Sequence, residues 1–259
     1  MSDPFRIYIG WDSAQVDAYE VCARSLARHA SIPLDIRPLR LDRLREAGLY
    51  RRDADPLAST EFTYSRFLVP ALAGYAGHAL FCDCDFLWTA DVAGLVALAD
   101  GSMAVQCVKH DYRPAETTKL HERTQTVYPR KNWSSLMLFN CAHAASMSLT
   151  PDAVNTRDGR YLQRLLWAPD HAIGALPGEW NWLEGWDAPP DGPPPKAIHF
   201  TRGGPWFEEW RGVAYAELWL EEMELMRRRG RVGPDGSGSA RAASAPPRTP
   251  SPKAALSCE

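Results

Sequence analysis

The apolar run Ala79-Leu80-Phe81-Cys82 leads into Asp83-Cys84-Asp85-Phe86, and no other stretch limits so narrowly what the chain can fold into. A segment this apolar reads as a strand buried on both faces, at the centre of a sheet covered by helices. Side chains alternate along an extended strand, so Asp83 and Asp85 point to one side and Cys82 and Cys84 to the other. Two carboxylates side by side at the end of a buried strand repel unless a cation or several donors lie between them. Oxygen donors favour Mg²⁺, Mn²⁺ or Ca²⁺ over thiophilic metals, and such a metal bridges readily to phosphate. The other reading gives each acid a local duty, with Asp83 capping the next loop and Asp85 pairing with an arginine. The paired spacing on a buried strand favours the metal, although the Asp-x-Asp triplet by itself is a weak signal.

The rest of the chain supplies the sheet around that strand. Residues 5–10 read as a first strand and residues 34–39 as a second. Between them a helix spans about Gln15 to Ala30, with Tyr19, Cys22, Ala23, Leu26 and Ala30 at helical spacing and Ser13 as N-cap. Strand, helix, strand predicts an α/β fold with a Rossmann-type, mostly parallel sheet flanked by helices, and ligands beyond its carboxyl edge. A helix over residues 61–73 is apolar nearly all round and therefore buried. Arg66 within it needs an anionic partner, either Asp83 and Asp85, a bound phosphate, or another structural acid.

Further strands are expected over 102–108 and 135–140, a helix over 159–167, a strand over 196–200 and a helix over 215–229. Six of the ten tryptophans fall between Trp180 and Trp219, which suits either flat ligands or a local core. Beyond residue 229 the composition turns to Gly, Ser, Ala and Pro, so residues 1–229 are expected to form one domain and 230–259 a disordered tail.

The net charge of -3 provides no global attraction to nucleic acid, which is not expected as a partner. No apolar run is long enough for a signal peptide or a membrane span, which leaves peripheral membrane association open. The six cysteines form no disulfide framework, and a cytoplasmic setting is expected. Cys82-x-Cys84 lacks a second pair at zinc spacing and reads as core.

Several segments together resemble family 8 of the retaining glycosyltransferases, the GT-A-fold group that includes glycogenin and bacterial lipopolysaccharide galactosyltransferases. Thr63-Tyr64-Ser65-Arg66-Phe67-Leu68-Val69-Pro70 is similar to the family's Thr-Tyr-x-Arg helix, and the Asp83-x-Asp85 strand follows at the family's interval. The resemblance spans most of residues 5 to 210. It implies that Asp12 recognises the uracil of a UDP-sugar, that Arg66 contacts the nucleotide sugar, and that Asp83 and Asp85 carry the metal and the ribose. Asn140 matches the Asn that closes a family strand on the donor side. Asp170-His171 resembles an Asp-Gln pair facing the donor sugar and the reacting carbon, which makes both catalytic candidates.

His199-Phe200-Thr201-Arg202-Gly203-Gly204-Pro205-Trp206 resembles the family loop whose His is the third metal ligand. The loop is one residue shorter here and lacks the family's Lys, so the diphosphate falls to the metal, the Gly203 and Gly204 amides and Arg202. Mixed carboxylate and imidazole donors favour Mn²⁺, with Mg²⁺ as the alternative. The implied reaction moves a hexose from a UDP-sugar to a hydroxyl of a carbohydrate or glycolipid acceptor with retention of configuration. An imidazole at His171 would instead permit inversion if it faced the reacting carbon. Residues 112–131 read as a lid, an acceptor-facing loop or a plain surface loop. Two other classes stay open: a haloacid-dehalogenase-like phosphohydrolase, although Phe86-Leu87 replaces its Gly-Thr-like continuation, and a non-catalytic nucleotide-sugar binder marked by the missing Lys.

Overall fold

The computed structural model describes residues 3–56, 58–111, 118–119, 123–124 and 130–229. The tail expected to be disordered, and most of the 112–131 loop, lie outside these residues. Strand β1 (Phe5–Gly10), helix α1 (Val16–His29) and strand β2 (Leu34–Leu39) open the chain as expected, the two strands pairing in parallel register from Phe5–Leu34 to Gly10–Leu39. Ser13 is not the cap of α1. Gln15 holds that position without a side-chain bond, and the Ser13 N–H donates to Glu61 Oε1 at 3.0 Å instead.

Helix α2 (Leu41–Glu46) and helix α3 (Val69–Leu72) lead to strand β3 (His78–Cys82), strand β4 (Phe86–Trp88), helix α4 (Ala93–Val96) and strand β5 (Val105–Cys107). A two-residue hairpin, β6 (Thr118–Lys119) and β7 (Arg123–Thr124), precedes strand β8 (Leu136–Asn140) and helices α5 (Ala144–Met147), α6 (Pro151–Thr156) and α7 (Gly159–Gln163). Strands β9 (Ile173–Ala175), β10 (Trp182–Leu183) and β11 (Ala197–His199) and helix α8 (Ala216–Arg229) complete the order.

The main sheet has six strands in the order β2-β1-β3-β8-β5-β9. Only β8 runs against its neighbours. Ile7, Ile9, Leu80, Phe81, Cys82, Leu136 and Phe139 are fully buried within it, as two-sided coverage by helices requires. The five described cysteines, Cys82 and Cys84 among them, are free and buried. Among the described residues no helix is long and apolar enough to cross a membrane.

The continuous helix expected over 61–73 is instead a turn, a 3-10 segment (Ser65–Leu68) and the short α3. Pro70 has no N–H to give the Arg66 carbonyl, and its ring would crowd that oxygen in an α-helix. The Arg66 carbonyl accepts from Val69 N–H in the tighter 3-10 pattern, and Pro70 falls in the first turn of α3, where it is tolerated.

A second sheet, β10-β11-β4, has three strands. Helix α8 covers it, packing Trp219, Met223 and Met226 against Leu87, Ile198, Phe200 and Val21 of α1. Trp180, Trp182 and Trp219 are thus core, whereas Trp186, Trp206 and Trp210 keep partial exposure. Glu222 pins α8 to α1: its carboxylate is 1% exposed and lies 3.0 Å from Arg24 Nε and 2.7 Å from Arg28 Nε. Removing one member of a buried pair strands the other charge, so Glu222→Gln is expected to cost about 3 kcal/mol in urea denaturation. Arg28→Ala, at a guanidinium 45% exposed, should cost under about 1 kcal/mol. Equal costs for the two variants would argue against this account of the α1–α8 contact.

Candidate functional site

Strands β1 and β3 run side by side and end at the same edge, so Asp12 and Asp83 follow them onto one rim. The Asp83 N–H continues the ladder by donating to Ser135 O at 2.9 Å. The chain then turns through Cys84 and Asp85 into β4, where Phe200 N–H donates to Asp85 O at 3.0 Å. Asp83-x-Asp85 is therefore the crossing between the two sheets. The two carboxylates converge as expected, but through this turn rather than by alternation along one extended strand.

His199 ends β11 opposite Phe86. Its ring stacks on the Phe86 ring at 4.4 Å and 18°, with Nε2 3.2 Å from Asp85 Oδ1 and Nδ1 3.0 Å from Asn181 Oδ1. Ligand atoms of Asp83, Asp85 and His199 all lie within 4.8 Å of one another. Asp85 Oδ1 is sealed from solvent and has no hydrogen-bond partner among the described residues. Two oxygens and one imidazole nitrogen in this spacing fit a hard to borderline divalent cation.

Arg66 supplies the local charge balance. Its Nη1 lies 2.8 Å from Asp83 Oδ1 and donates to Ser134 O at 2.9 Å, and its guanidinium sits 5.1 Å and 5.0 Å from the Phe62 and Phe81 ring centres. The anionic partner demanded of Arg66 is thus Asp83. Gln163, which the sequence reading passed over, holds this corner from α7: Ser134 Oγ donates to its Oε1 at 2.8 Å, and its Nε2 donates to Thr63 O at 2.6 Å.

Asp12 is buried on the same rim, where its carboxylate accepts from Ala14 N–H at 2.9 Å and Glu61 N–H at 3.2 Å. It fastens the loop after β1 to the turn that precedes Arg66. Arg202 lies 3.4 Å from Glu184 and over the Trp186 and Trp210 rings at 5.9 Å and 5.2 Å. Gly203 has φ 130, a backbone that favours glycine. Its N–H donates to Phe200 O at 3.0 Å within its turn.

Three expected residues lie outside the Asp83, Asp85 and His199 cluster. Because β8 is antiparallel, Asn140 faces His78 at the opposite edge of the sheet, where its Nδ2 donates to Gly101 O at 3.0 Å. The end of β8 nearest Asp83 is Leu136. Asp170 and His171 form a 3-10 turn that feeds β9, whose first residue Ile173 pairs with Val105 at the start of β5. Asp170 is 85% exposed and 2.6 Å from Arg130 Nη2, and that guanidinium lies over Trp133, whose Nε1 donates to His110 O.

The rim also holds residues not expected there. Asn181 is fully buried, and its only sequence signal is an amide inside the aromatic run Trp180-Asn181-Trp182. His110 follows β5 at the carboxyl edge, and burial pushes its imidazole down to about 4, with the neighbouring His199 acting in the same sense. It is neutral in this setting near neutral pH.

No protein-family model matches the chain. Over 224 residues it is 50% identical to Protein CDI of Arabidopsis thaliana, a match covering 85% of this chain and 86% of that protein. Among solved structures it superposes on the apo form of the bifunctional glycosyltransferase WbbM with a TM-score of 0.61 at 16% identity, over 86% of this chain and 50% of WbbM. The chain therefore spans half the length of WbbM. It also superposes on the galactosyltransferase LgtC, solved with donor and acceptor sugar analogs, with a TM-score of 0.54 at 12% identity, over 85% of this chain and 96% of LgtC. At these identities the likeness is one of fold, and the fold is the GT-A glycosyltransferase fold.

Proposed function

Because the chain belongs to the protein family of Arabidopsis Protein CDI and has the GT-A fold, we propose that it is a glycosyltransferase. In this reading it is metal-dependent and retaining, and moves a hexose from a UDP-sugar to a hydroxyl of a carbohydrate or glycolipid acceptor. The observation that carries the proposal is the convergence of Asp83, Asp85 and His199 within 4.8 Å on the rim where a GT-A sheet binds its ligands.

These three side chains would hold the divalent cation, Mn²⁺ in preference to Mg²⁺ given the imidazole. Such a cation offsets the charge that develops on a diphosphate leaving group. The chain's own residues do the rest. Arg66 neutralises and orients Asp83, leaving the second carboxylate, Asp85, to face His199. Asp12 keeps the loop after β1 in place as one wall of a nucleotide pocket. Arg202, framed by Trp186 and Trp210, is the cation on the β11 loop for a diphosphate in place of the family's Lys. Retention is the outcome this reading favours, since Arg66, Asp83-x-Asp85 and His199 resemble the set of a retaining family. The phosphohydrolase reading draws no support from this fold.

Incubating the full chain with a panel of UDP-sugars and an acceptor mixture, with and without Mn²⁺, tests the proposal through UDP release. Mn²⁺-dependent release from at least one donor is expected, with the glycoside keeping the donor's α configuration in its proton NMR spectrum. Mn²⁺-dependent UDP binding without turnover would favour the non-catalytic binder. No UDP binding under either condition would overturn both.

A further inference from the structure

One buried chain of hydrogen bonds behind His199 has a determined direction. The Ser135 hydroxyl gives its single proton to Asn132 O at 2.6 Å, so its lone pairs face the Asn181 amide at 2.9 Å. Only the NH₂ end of that amide can donate there. The other end, Oδ1, therefore faces His199 Nδ1 at 3.0 Å. A carbonyl oxygen only accepts, so Nδ1 must carry a proton. Nε2 then faces Asp85 Oδ1 3.2 Å away, and either a proton or a cation must separate those two acceptors.

The opposite tautomer would set the Nδ1 lone pair against Asn181 Oδ1 inside a site where Asn181 is 0% exposed and His199 2% exposed. Burying two facing acceptors is unfavourable. Asn181 thus presets the one ring nitrogen that can bind a cation together with Asp85, while stacking on Phe86 fixes the plane of the ring. Through Ser135, whose carbonyl accepts from Asp83 N–H, the same amide is tied to the strand end that holds the other carboxylate.

We infer that Asn181 is a positioning residue for the candidate metal centre, which locks the Nδ1–H form of His199 so that Nε2 is offered to a divalent cation. The inference rests on the metal reading above only for its consequence, because the tautomer can be measured in metal-free protein. The test uses the full chain and its Asn181→Leu, Asn181→Asp and Ser135→Ala variants. Ring ¹³C and ¹⁵N NMR shifts of His199, identified by their loss in His199→Gln, report which nitrogen is protonated. Calorimetry with Mn²⁺ alone reports affinity.

The wild type should carry a proton on Nδ1 both with and without Mn²⁺, and Mn²⁺ should displace any proton held at Nε2. Asn181→Leu should move the proton to Nε2, where Asp85 accepts it, and should weaken Mn²⁺ binding about 10- to 100-fold, the usual cost of losing a partner behind a ligand. Asn181→Asp keeps an acceptor for Nδ1–H and should restore both properties. Ser135→Ala, which frees the amide to turn over, should lie between. A wild-type ring with no proton on Nδ1 overturns the inference, as does an Asn181→Leu variant with unchanged Nδ1 protonation and affinity. Should Asn181→Leu fail to fold, the wild-type tautomer and Asn181→Asp decide. An Nδ1–H wild type that binds no Mn²⁺ upholds the hydrogen-bond assignment and refutes the metal reading instead.

Discussion

Replacing Asp85 by Asn is expected to abolish Mn²⁺-dependent UDP release and to lower Mn²⁺ affinity by at least about 100-fold, beyond what loss of an outer partner costs. The Asp85 carboxylate has no competing role among the described residues, since its Oδ1 is buried, without a hydrogen-bond partner, and directed at His199 Nε2. The turn that holds the residue depends on its backbone, through Phe200 N–H to Asp85 O at 3.0 Å, and a neutral amide leaves that bond intact. The melting temperature of the metal-free variant should therefore match that of the wild type. Calorimetric titration with Mn²⁺, followed by donor turnover, checks both parts. Wild-type Mn²⁺ affinity in this variant would refute the metal site.

Arg66→Met should produce the largest loss of stability, about 3–5 kcal/mol, because it takes the guanidinium out of a buried ion pair and leaves the Asp83 charge less compensated. The Arg66 and Asp83 side chains are 7% and 13% exposed, so water does little to replace the lost guanidinium. The variant also leaves Ser134 O without its donor. Urea denaturation of the metal-free chain measures the loss. Adding Asp83→Asn should recover most of it, and strict additivity of the two substitutions would show that the pair is not coupled. Arg66→Lys should fall between wild type and Met, since one ammonium does not reproduce a planar fork that reaches both Asp83 and Ser134 O.

These two residues also mark how far the sequence could be read. The apolar run into Asp83-x-Asp85, the βαβ opening and the demand of Arg66 for an anion follow from local chemistry, because burial of a charge or a carboxylate pair without compensation is costly in any fold. His199 was legible from its motif alone. Asn140, Asp170 and His171 were placed by motif as well, and of these Asn140 stands at the opposite strand edge. Whether a strand end lies at the ligand-binding edge depends on strand direction, and the reversal of β8 leaves no mark in that residue's own spacing.

Asn181 and Gln163 were missed for a related reason. Each is an amide whose role is to join segments distant in the chain: Asn181 links Ser135 to His199, and Gln163 links Thr63 to Ser134. Amides carry no charge whose burial would draw attention to them. The sequence by itself determined the α/β class, the buried central strand and the kind of chemistry its terminal acids demand, since periodicity and the cost of buried charge act locally. The tertiary structure alone decided which residues share the rim and which hydrogen-bond donors hold them there, because sheet order, strand direction and the crossing between two sheets arise from contacts that no single segment encodes.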